Sequence, residues 1–156
     1  NKVWAEPLDK EIDKYLLKIR EHVFPYQLKD EIWDGGSEKL LDAMRAVELE
    51  YVKRRSLGAP QKQYSLTVKT KSFGRTINFD NDKVIITKNV EPFFERHTAL
   101  TLDERLLKRL IIRAEGYSGF TQYHFNQAEI GSHINWDRSG EYDSVSSLLN
   151  FMQTYI

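Results

Sequence analysis

The stretch 64–87 reads YSLTVKTKSFGRTINFDNDKVIIT. Tyr64, Leu66 and Val68 alternate with Ser65, Thr67 and Lys69, the period-two pattern of a strand with one face on a core. RTINF and KVIIT continue the β-rich composition, and Asp80-Asn81-Asp82 between them has the residue types of a tight turn. This stretch predicts three antiparallel strands from Tyr64 to Thr87.

On its N-terminal side the period is close to 3.6. Leu8, Ile12, Tyr15, Leu16, Ile19 and Val23 form one apolar stripe of a helix, with Pro7 in its first turn and Pro25 interrupting it. PYQLKDEIW reads as a short helix before Asp34-Gly35-Gly36. Ser37 is then the expected N-cap of a second long helix, with Leu40, Met44, Val47 and Tyr51 buried and a stop by Gly58-Ala59-Pro60.

On the C-terminal side, Thr101 and Glu104 have capping-box spacing at the head of a third helix carrying Leu102, Leu106, Leu107, Leu110, Ile111 and Ala114. Gly116 is its expected C′ residue. Two strands are expected around FTQYHFN and GSHINW, and a last helix at SVSSLLNFMQTY after Asp143. The order α-α-β-β-β-α-β-β-α implies an α+β fold in one domain, 1–156, helical over residues 1–58 and sheet-containing over residues 59–156. At 156 residues and 40% hydrophobic content, the chain has enough material for one core without metal or disulfide staples.

Net charge is zero, but it is unevenly distributed. Residues 1–50 hold eight Lys or Arg against twelve acids, residues 51–113 fourteen against six, and residues 114–156 one against five. No acid occurs from Tyr51 to Phe79, where Lys53, Arg54, Arg55, Lys62, Lys69, Lys71 and Arg75 fall. Strand parity puts Lys69 and Lys71 away from the core with Ser65 and Thr67, and Phe73-Gly74 at the hairpin tip between Lys71 and Arg75. An aromatic among cations suits a base stacked beside held phosphates. The candidate nucleic-acid or anion-binding set is therefore Lys53, Arg54, Arg55, Lys69, Lys71, Phe73 and Arg75, with Arg105, Lys108 and Arg109 as an extension. The plainer alternative pairs these cations with the chain's own acids, Glu11, Asp13, Glu21, Asp30 and Glu31.

Of the four histidines, His22 reads as a helix-end residue and His97 as a loop residue. His124 and His133 flank NQAEIGS, and a two-residue turn at Ala128-Glu129 would set them opposite each other. Glu129 or Asp137 would complete a metal-assisted hydrolase or nuclease site. A shift of one residue puts the two rings on opposite faces. No standard metal spacing, P-loop or GxGxxG occurs, and cysteine is absent. No cofactor is therefore expected. The first residues lack a signal-peptide pattern, and no apolar run approaches the ~20 residues that span a bilayer.

The leading expectation is a non-enzymatic recognition domain that binds nucleic acid or another acidic partner through its basic hairpin. A protein–protein interaction or assembly domain is the alternative, and the hydrolase is the third reading. The expected setting is intracellular, cytoplasmic or nuclear, within a parent chain.

Overall fold

The computed structural model describes residues 5–23, 27, 33–58, 63–81, 83–112, 125, 128, 133–139, 148, 149, 151 and 152. The chain divides into two compact units, residues 1–31 and 32–156. The first contains helix α1 (Ala5–Glu21). The second contains α2 (Gly36–Ser56), β1 (Tyr64–Lys69), β2 (Gly74–Asp80), β3 (Lys83–Thr87), β4 (His97–Thr101), α3 (Glu104–Ile111) and β5 (Asn135–Ser139).

The fold is α+β, with a mostly antiparallel five-stranded sheet in the order β3-β2-β1-β4-β5. Three strand pairs are antiparallel, while β1 and β4 run parallel. A parallel pair cannot be joined by a tight turn. The chain therefore runs from β1 through β2 and β3, then returns through 88–96 to lay β4 against the other side of β1.

Alternation sorts the two faces of the sheet. Tyr64, Leu66 and Val68 oppose Phe79, Ile77 and Arg75. This face meets the helices: the Tyr51 ring of α2 lies 4.4 Å from that of Phe79, and Leu40, Ala43, Met44 and Val47 are buried along the same helix. From α3 come Leu106, Leu107, Leu110 and Ile111, all fully enclosed. The stripe read from the sequence of α2 is the buried stripe of the fold.

The other face is buried too, which corrects the expectation of a half-exposed strand. Ser65, Thr67 and Thr76 are enclosed, and the Ser65 hydroxyl donates to Asn78 Oδ1 at 2.7 Å. Thr67 and Thr76 share a hydroxyl bond at 2.8 Å. The returning segment covers this face: the N–H groups of Phe93 and Phe94 donate to Ser65 Oγ at 3.0 and 2.9 Å. A Cβ placed on Gly74 would sit 2.5 Å from Val90 Cγ1, so the strand can lie this close to the return only without a side chain. Buried hydroxyls are tolerated here because each has a partner.

Several element boundaries differ from the sequence expectation. β4 occupies His97–Thr101, read as loop and cap, because these residues complete the ladder beside β1. The cap of α3 is Asp103, whose side chain accepts from the Arg105 N–H, and α3 ends at Ile111 with Ile112 extended. Its expected C′ residue, Gly116, lies outside the described residues. The cap of α2 is Gly35, left-handed at φ 73, and Ser37 lies inside the helix. Phe125 and Ala128 are helical, and the rest of FTQYHFN lies outside the described residues. The last strand, expected around GSHINW, is shifted onto NWDRS. Leu148, Leu149, Phe151 and Met152 lie in 3-10 turns within the expected final helix.

Candidate interaction surfaces

The β1–β2 connection is built by Thr70. Its N–H donates to the Phe73 carbonyl at 2.8 Å, and its hydroxyl accepts from the N–H groups of Ser72 and Phe73 at 3.3 and 3.2 Å. Glu104, at the head of α3, accepts a second bond from the Ser72 N–H at 3.1 Å. That bond corrects the capping-box expectation: the Glu104 carboxylate holds the hairpin tip.

The cations expected to surround this tip do not form one surface. Register places Arg75 opposite Val68, on the helix-covered face, and its side chain is only 5% exposed. Its guanidinium lies 3.6 Å from Glu38 of α2 and 3.4 Å from the Gly74 carbonyl. Phe73 is half-buried, with its ring 5.6 Å from Trp33 in an edge-on contact. The same ring approaches Gly36, where a Cβ would come within 2.8 Å. Phe73 is thus a packing residue at the head of α2 rather than a free stacking platform. Lys69 is half-buried and Lys71 exposed.

Lys53, Arg54 and Arg55 fall in the last turn of α2, where cations suit the helix dipole. Glu50 binds Arg54 at 3.1 Å and lies 3.9 Å from Lys53. The Arg54 guanidinium also sits 5.2 Å over the Phe151 ring. Arg55 is half-buried, with its Nε enclosed and lacking a hydrogen-bond partner among the described residues. Glu38 marks the hairpin end of α2 and Arg54 the opposite end, about 24 Å away at 1.5 Å per residue. The candidate set therefore splits into two separate groups, each containing its own carboxylate. Arg105 is bound by Asp103 at 2.8 Å, and Lys108 and Arg109 are half-buried.

His124 and Glu129 lie outside the described residues. His133 precedes β5 and donates its N–H to the Ala128 carbonyl at 2.9 Å, while β5 itself pairs with β4. Asp137 instead approaches His97: Nε2 lies 3.8 Å from its carboxylate, and Nδ1 faces the Glu95 carbonyl at 2.9 Å. The sequence missed this pair because β4 was not recognised, and the β4–β5 register is what brings the two together. Among the described residues no group of three or more His, Cys, Asp or Glu side chains could hold a metal.

The first unit carries a different kind of surface. Along α1 every described side chain is exposed, including the apolar stripe of Ile12, Tyr15, Leu16 and Ile19, and so is Val23 just beyond the helix. Tyr15 is 64% exposed and Val23 55%. Lys14 and Glu11 pair across one turn at 3.1 Å. Among the described residues, no helix is long and apolar enough to cross a membrane. No family model, curated protein or solved structure matches the chain.

Proposed function

We infer that this chain is a recognition module whose partner is a protein, engaged through the apolar face of α1. The observation that carries the reading is the row of Ile12, Tyr15, Leu16 and Ile19 at helical spacing, all open to solvent. A helix with one apolar stripe gains most of its stability by covering that stripe, and helix-in-groove and coiled-coil recognition use this spacing of anchors. The hairpin offers less. Arg75 is enclosed with Glu38 and Phe73 is packed on Trp33, which leaves Lys69 and Lys71 as the cations at the tip. Two lysines supply a weak, salt-sensitive term for a polyanion.

The test is a titration of labelled single- and double-stranded oligonucleotides at low and moderate salt, with wild type and Lys69→Glu/Lys71→Glu. Negligible binding by both proteins is expected. Salt-dependent binding that the double substitution removes would restore the nucleic-acid reading and displace this one.

A further inference from the structure

We propose that the partner of α1 is a second copy of the same chain, docked antiparallel about a two-fold axis between Tyr15 and Leu16. This rests on the reading of α1 as a protein-binding helix and adds the occupant.

The inference comes from the order of residues along the helix. Within the apolar stripe, positions equidistant from the point between Tyr15 and Leu16 are alike, while outside it Leu17 falls level with Lys14. Ile12 matches Ile19, and Tyr15 matches Leu16. Glu11 falls level with Arg20 and Asp13 with Lys18, on opposite flanks of the stripe, so these pairs balance the charge of each level without meeting. In sequence the apolar match extends to Leu8 and Val23. A two-fold antiparallel pair brings such positions to the same level, so the apolar residues meet in layers. An isologous contact needs this self-complementarity, in which residue i meets j and j meets i.

The flanks of the stripe fix the direction. At 100° per residue, Glu11 and Lys18 lie on one side of the apolar face, and Asp13 and Arg20 on the other. In an antiparallel pair each flank meets the same flank of the second copy. Glu11 then faces Lys18, and Asp13 faces Arg20, on both sides of the seam. A parallel pair opposes unlike flanks, setting Glu11 near Asp13 and Lys18 near Arg20. The parallel arrangement therefore repels along its length. Antiparallel packing also opposes the two helix dipoles favourably. The Lys14–Glu11 pair within the helix is exposed at both ends and competes only weakly.

A single pair of helices this short is a small interface, so association in the micromolar range is expected. The 156-residue chain, at roughly 5 to 500 µM, is examined by sedimentation velocity. The expected result is a reversible monomer–dimer equilibrium. Ile12→Glu/Ile19→Glu should weaken it at least ~10-fold, with helicity checked by circular dichroism. Because the chain has no cysteine, direction is read with single Ile12→Cys and Ile19→Cys variants, oxidised alone and mixed. Antiparallel docking puts residue 12 level with residue 19 of the second copy. The mixture then forms a disulfide dimer, while each variant alone holds its thiols about 10 Å apart along the axis, beyond disulfide reach. Efficient cross-linking of each variant alone, with none favoured in the mixture, would overturn the antiparallel arrangement. A chain monomeric across the whole range would overturn self-association. In that event, a photo-cross-linker at Tyr15 separates the two readings. Adducts with another protein would retain α1 as a protein-binding helix, and their absence would remove both.

Discussion

Arg75 is an arginine on the core-facing side of a central strand, and its neighbours explain why it is tolerated there. Burying a guanidinium requires acceptors and a counter-charge. Glu38, 69% exposed, supplies a counter-charge 3.6 Å away on the solvent side, and the Gly74 carbonyl accepts a hydrogen bond. Glu38→Gln should therefore cost less than about 1 kcal/mol, because the exposed acid is already well solvated. Arg75→Glu should cost about 3 kcal/mol or more by setting an acid in the same enclosure beside Glu38. Urea unfolding of the two variants separates these outcomes. Gly74 has a steric role: Gly74→Ala drives a methyl into Val90 and the Val68 carbonyl, and should cost about 1–3 kcal/mol. Trimming Val90 to Ala in the same chain should recover some of that loss.

Asp103 links a residue to its element. The Arg105 side chain bonded to it, helped by the Arg105 and Leu106 N–H groups, holds its carboxyl below the ordinary carboxylate value against the opposing effect of burial. A carboxylate with a lowered folded-state pKa stabilises the fold fully above its unfolded value of about 3.9. That contribution falls as pH drops through the lowered folded value. Asp103→Asn should remove this component of the acid sensitivity, and Asp103→Ala should cost about 1 kcal/mol at neutral pH through loss of the cap. Chemical denaturation between pH 7 and the acid limit checks both.

At the scale of elements, α1, α2 and the three-strand run were legible because long periodic segments leave little choice of face. Leu40, Met44, Val47 and Tyr51 were readable as one stripe, and they are the buried stripe. β4 was not legible. HTALT has too few residues to show a period, and Thr101 lies three residues before Glu104, imitating a capping box that tertiary contacts use otherwise. The hairpin's charge was legible as composition and misleading as geometry. Alternation assigns Arg75 to the helix-covered face once the register is known, but the sequence does not give the length of the Thr70–Phe73 connection that sets it. The candidate set therefore divided between the two ends of α2. The face of α1 was visible in the sequence from the start, but its exposure was not.

For the whole molecule, the segregated charge has two destinations. In the second unit part of it is neutralised within the fold, in the pairs Arg75–Glu38, Arg54–Glu50 and Arg105–Asp103. In the first unit it is ordered along a helix so that a second copy can match it. Salt should accordingly weaken self-association modestly, through the Glu11–Lys18 and Asp13–Arg20 flanks, while the apolar seam persists. The most direct measurement is amide hydrogen exchange of the whole chain at low and high protein concentration. Amides of α1 should exchange more slowly as concentration rises, with the β1–β2 hairpin unchanged. Protection that appears at the hairpin, or no concentration dependence in α1, would contradict it.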